Sequence, residues 1–68
     1  MTDVPIAFLI LDARTFADAV RGLTDNYLLH LDEMPPIKIS DDFHVRDGHK
    51  RVATAIRLGR TTIKAEVV

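Results

Sequence analysis

The chain has no cysteine and no tryptophan. Without cysteine it has no disulfide framework and no thiol chemistry. It has three glycines and three prolines, and no internal repeat, low-complexity tract or linker is visible. The longest uninterrupted apolar run covers residues 6–11, far short of the about 20 residues that a membrane-spanning helix needs. No basic-then-apolar leader with a small-residue cleavage site opens the chain, so a cytoplasmic protein with no membrane partner is expected. The three histidines, His30, His44 and His49, are scattered and lack metal-site spacing. No metal-ligand set is recognisable, and the sequence leaves the identity of any metal open.

What is present is enough for one small domain of 68 residues. A chain of this size buries only about 60% of its unfolded surface, so its stability is marginal unless something adds to it. The net charge of −1 conceals an asymmetry: residues 1–42 carry eight acids against three cations, or −5, and residues 43–68 carry six cations against two acids, or +4. A basic half can mean an anionic ligand or nucleic acid. It can equally mean that the two halves attract each other.

Residues 4–11 are apolar almost throughout and predict a buried strand, with Pro5 tolerated only near its start. Asp12 is a candidate N-cap. Phe16, Ala19, Val20 and Leu23 follow it at the spacing of one helical face, and Gly22 suits the helix end. Thr24 is positioned to cap a second short helix with Tyr27, Leu28 and Leu31 inside, closed by Pro35-Pro36. Ile37 and Ile39 alternate with polar residues, as do Phe43 and Val45. Ser40-Asp41-Asp42 between them reads as the turn of a hairpin. Residues 52–58 predict a helix stopped by Gly59, and residues 61–67 a last strand. The expected order is β–α–(α)–β–β–α–β: a small α+β domain with a mixed sheet and helices packed on it. Its expected core includes Ile6, Phe8, Phe16, Val20, Ile37, Val45, Val52, Ile56 and Ile63.

The strand-to-helix junction Arg46-Asp47-Gly48-His49-Lys50-Arg51 is the most informative stretch. Lys50 and Arg51 fall in the first helical turn, at the positive end of the helix dipole, where a cation costs about 0.3–1 kcal/mol. The same position is an anion site, because the first N–H groups of a helix have no internal partner. A phosphate would reconcile the two facts. The alternative is a solvated helix start in which Asp47, as N-cap, offsets a cation.

The run from Pro36-Ile37-Lys38-Ile39 through Val45-Arg46-Asp47-Gly48-His49-Lys50-Arg51-Val52-Ala53 to Ile63-Lys64-Ala65 resembles the ParB N-terminal/sulfiredoxin-like superfamily over residues 36–68. Residues 1–35 do not match that family. The resemblance implies a ParB/sulfiredoxin-like fold. It also implies phosphate or nucleotide binding at the helix start, carried by Gly48 and Arg51 with His49, Lys50 and Arg46 around them and Asp47 as cap. Sulfinic acid reduction is excluded, because His49 stands near the place of the required cysteine. The resemblance further points to a bacterial protein active in DNA-related regulation or partition. The expected function is a module that binds a nucleotide or a nucleic acid end, with a nucleotide as candidate cofactor. A degenerate member acting through a protein partner or a homo-oligomer is the alternative. A phosphotransferase or nuclease ranks third: Asp47, His49, Asp41 and Asp42 are its candidate groups, and none has a partner at a demanding spacing.

Overall fold

The structure is a computed structural model that describes residues 2–68. β1 (Thr2–Pro5) leads through a 3₁₀ turn (Ile6–Phe8) to α1 (Ala13–Arg21) and the short α2 (Asp25–His30). A second 3₁₀ turn (Leu31–Glu33) leads to the hairpin of β2 (Ile37–Ile39) and β3 (Val45–Asp47). α3 (His49–Arg57) and β4 (Thr62–Val67) complete the expected order. The four strands form one mixed sheet, β1-β4-β2-β3, with β4 antiparallel to β1 and parallel to β2. The domain is therefore α+β, and none of its helices is long and apolar enough to cross a membrane.

Strand alternation sorts the side chains. Val4, Ile37, Ile39, Val45, Ile63 and Ala65 are buried together against Val52 and Ala55 of α3. Asp3, Lys38, Lys64 and Glu66, at the intervening strand positions, are exposed. Asp12 caps α1 as expected, its Oδ2 accepting the Thr15 N–H at 2.8 Å. Thr24 occupies the N-cap of α2 but makes no side-chain capping bond. α3 ends in a Schellman motif: Arg60 N–H bonds Ala55 O and Gly59 N–H bonds Ile56 O, with Gly59 at φ +77.

Several expectations are corrected. Residues 4–11 are not one strand. The strand stops at Pro5, and the chain then leaves one sheet edge and reaches the other, where Ile10 bridges to His44. An unbroken apolar run carries no period, so it gives no sign of where a strand stops. Ile6 and Leu9 pack on the core, whereas Phe8 is 60% exposed. In α3, residues Val52, Ala53, Thr54 and Ala55 are buried in succession, and Ile56 is 46% exposed. The helix is sandwiched between the sheet and α1. Ile56 lies one turn beyond Val52, at the end of the helix. Val20 is likewise exposed, and Ala19 is the buried residue of α1.

The hairpin has no glycine at its tight position. Phe43 N–H bonds Ser40 O, Ser40 N–H bonds His44 O, and Phe43 takes the left-handed conformation at φ +70. The expectation of Phe43 as a strand residue fails there: β3 begins at Val45. The radius of gyration, 10.8 Å, equals the about 11 Å of a compact chain of this length. The exposed aromatic residues are therefore not the sign of a loose fold.

Candidate functional site

The junction between β3 and α3 is fixed by packing. Gly48 is the N-cap of α3, with φ +111 and no side chain to cap with. A Cβ there would lie 2.5 Å from Ile37 Cγ2 and 2.9 Å from Ile37 Cβ. Glycine is thus required twice, for its backbone angle and for the close approach to β2. The expected cap, Asp47, is the last residue of β3, and its carboxylate turns to Arg51 instead. With no capping oxygen from residue 48, the N–H groups of His49, Lys50 and Arg51 in the first turn are left for solvent or a ligand.

The three basic side chains have separate surroundings. Arg51 is drawn inward, its side chain only 14% exposed. Its Nη1 donates to Pro35 O at 2.6 Å and Pro36 O at 3.0 Å, and Nη2 donates to Asp47 Oδ2 at 3.3 Å. A guanidinium so engaged ties the segment before β2 to the start of α3. It is a clamp in this geometry, with little left for a phosphate fork. Lys50 crosses Gly22, where an added Cβ would sit 3.2 Å from Lys50 Cε, and its Nζ lies 5.9 Å from the centre of the Tyr27 ring. Such a cation–π contact contributes about 0.5–1 kcal/mol at an exposed site. His49 is half-buried, and its Nε2 is shut off from water without a hydrogen-bond partner. The Thr15 hydroxyl and N–H, and more weakly the nearby His49, hold the Asp12 carboxyl below its ordinary value.

Together these residues form an open basin of about 410 Å³ over the start of α3, lined by Gly48, His49, Lys50, Arg51, Asp47, Thr15, Asp18, Ala19 and Tyr27. Arg46 is exposed on β3 and does not line it. α1 and α2 contribute to this basin without a local signal in the sequence. Nothing in the sequence links Tyr27 to Lys50, because the contact depends on how the two helices pack.

The carboxylates proposed for catalysis are divided. Asp41 and Asp42 lie in the hairpin turn, at the end of β3 opposite Gly48. Ser40 Oγ donates to Asp42, and His44 Nδ1 approaches the same carboxylate oxygen at 2.9 Å. These bonds, the Ser40 hydroxyl first, hold the Asp42 carboxyl far below its ordinary value. Activation of the hydroxyl would need the histidine between serine and aspartate; here the aspartate is in the middle, so the group closes the turn. No cluster of three metal-ligating side chains occurs among the described residues. Comparison with models of protein families finds no match, and comparison with curated proteins finds no significant one.

Proposed function

We infer that the domain is a ParB-like binding module for a phosphate-bearing ligand, a nucleotide or the end of a nucleic acid strand, held in the basin at the start of α3. The observation that carries this reading is the start of α3, whose N–H groups have no capping oxygen and open on the basin that Lys50 lines. The open N-terminus of a helix favours an anion. In this reading the amides of the first turn hold the phosphate, and His49 lines the basin beside them. Lys50 supplies a positive charge, and Tyr27 gives an aromatic wall. Arg51 acts indirectly by fixing the loop. Asp18 and Asp47 on the same rim oppose an anion, so a ligand with contacts beyond one phosphate group should bind more tightly than inorganic phosphate. The bacterial, DNA-related setting rests on the sequence resemblance alone.

Thermal unfolding in inorganic phosphate, in a nucleoside triphosphate and in chloride at matched ionic strength tests the reading. A bound ligand at 100 Kd raises stability by about 2.7 kcal/mol, whereas general screening treats these ions alike at equal ionic strength. The gain should saturate and should shrink in Lys50→Ala and His49→Ala. An equal response of parent and variants removes the basin from consideration.

The internal engagement of Arg51 favours a second reading, in which the junction is purely structural and the domain works by docking to protein. Absence of any saturable phosphate effect, with the fold intact, would favour it.

A further inference from the structure

β4 extends beyond the strand beside it. It starts at Thr62, whereas its parallel pairing with β2 starts where Ala65 meets Ile37. On the other side it is paired with β1 from Thr62 to Ala65. Ile6 N–H bonds Thr61 O, and Val4 and Thr2 lie opposite Ile63 and Ala65. Backbone groups alternate between the two edges of a strand, so Ile63 and Ala65 turn theirs to β1. Thr62 and Lys64 turn theirs the other way, toward the Pro35-Pro36 segment. Val68 N–H, which bonds Ile39 O, keeps the same phase at the far end.

Continued by one rung, the ladder of β2 and β4 would set Pro35 opposite Ile63. That rung needs an N–H on residue 35 for Thr62 O and a carbonyl on residue 35 for Lys64 N–H. Proline has no N–H, and Pro35 O receives Arg51 Nη1 at 2.6 Å. No backbone hydrogen bond joins Pro35 to Thr62 or Lys64. One acceptor and one donor, at the spacing of a single strand residue, are thus left open. Beside them is a cavity of about 130 Å³ lined by Pro35, Thr62, Ile63 and Lys64, with apolar walls from Leu31, Met34, Ile37 and Ala55. An apolar cavity of about 150 Å³ holds a benzene ring, so this one has room for one ring or branched side chain. The charges on its lining are balanced. Asp32 forks Arg60, Asp3 stands opposite Lys64 in the β1–β4 register, and Arg51 is met by Asp47.

We propose that this notch binds a free L-α-amino acid with an apolar side chain, which stands in for the missing strand residue. Its carboxylate accepts Lys64 N–H, and its ammonium donates to Thr62 O. Side chains two residues apart on a strand share a face. Ile37 is buried in the core, so a side chain at the place of residue 35 enters the apolar walls. Only the L enantiomer directs it there with the main-chain pairing kept. A lining without net charge suits a zwitterion better than an ion of either sign, because a net charge would enter without a compensating partner. The site is separate from the basin at the start of α3; of the residues lining the two, only Arg51 is shared.

Amide chemical-shift mapping during titration with L-leucine, D-leucine, glycine and isocaproate tests this. L-Leucine should give saturating shifts in the millimolar range, centred on Thr62, Ile63 and Lys64. Glycine lacks the side chain and isocaproate lacks the ammonium, and each should bind at least about tenfold more weakly. D-Leucine should also bind more weakly than L-leucine. Lys64→Pro removes the open N–H on the side of β4 that faces away from β1, where proline is tolerated. Once circular dichroism shows that it folds, it should lose the response to L-leucine. If it does not fold, the comparison of the four ligands on the parent decides alone. No saturating shift with L-leucine, shifts centred elsewhere, an equal response to isocaproate, or a folded Lys64→Pro that binds like the parent would overturn the proposal.

Discussion

Gly48 enters α3 at φ +111 and Gly59 leaves it at φ +77, each with arginines close by in sequence. A side chain at Gly48 would collide with Ile37, whereas one at Gly59 would meet nothing within 4 Å. Arg51 is pulled under the Pro35 and Pro36 carbonyls at the start, whereas Arg57 stands free at the end among the described residues. The same residue types therefore do different work. The start of α3 is fitted against β2 and leaves backbone donors open. The end is a capped stop whose side chains are surface. Glycine beside arginine is no signature by itself; the difference lies in what the opposing strand puts in the way.

The comparison is sharpened by substitution. Gly48→Ala meets both an unfavourable angle and a collision with a fully buried isoleucine, and is expected to cost roughly 3 kcal/mol or more, read as a lowered denaturation midpoint. Arg51→Ala loses charge-assisted bonds to two carbonyls and is expected to cost about 2 kcal/mol. Arg51→Lys should not restore it, since one ammonium cannot reproduce the fork. Retention of full stability in Arg51→Ala would return Arg51 to the role of a free ligand. Gly59→Ala, with an unfavourable angle but open space, should cost about 1 kcal/mol. A loss as large as that of Gly48→Ala would break the distinction between the two ends. Lys50→Ala removes an exposed cation–π contact and a cation at the wrong end of the dipole, so its stability change should stay within about 0.5 kcal/mol. On the proposed function its main effect should be a weaker response to phosphate.

Much of this was legible in sequence. The order of elements followed from alternation at residues 37–39 and 62–67 and from the punctuation by Asp12, Gly22, Pro35-Pro36 and Gly59. The importance of the Gly48 junction was legible too, because a strand, a glycine and a basic helix start follow in succession. The use of Arg51 was not. Whether a guanidinium faces out to a ligand or in to a carbonyl is decided by the path of Pro35-Pro36, distant in sequence and adjacent in space. The fate of the apolar run at residues 6–11 was hidden for a related reason. Crossing from one sheet edge to the other depends on strand order, which no local pattern records. The alternation of its neighbours marks Phe43 as a strand residue, and a left-handed phenylalanine has no sequence signal.

The central claim is that the open amides at the start of α3, with His49 and Lys50, receive a phosphate. Amide chemical-shift mapping during titration with a nucleoside triphosphate, with inorganic phosphate in parallel, tests it most directly. The account predicts saturating shifts that are largest at Gly48, His49, Lys50 and Arg51, accompanied by the His49 ring, and weakened in Lys50→Ala. Saturating shifts centred elsewhere, or none at the start of α3 while the protein remains folded, would contradict it.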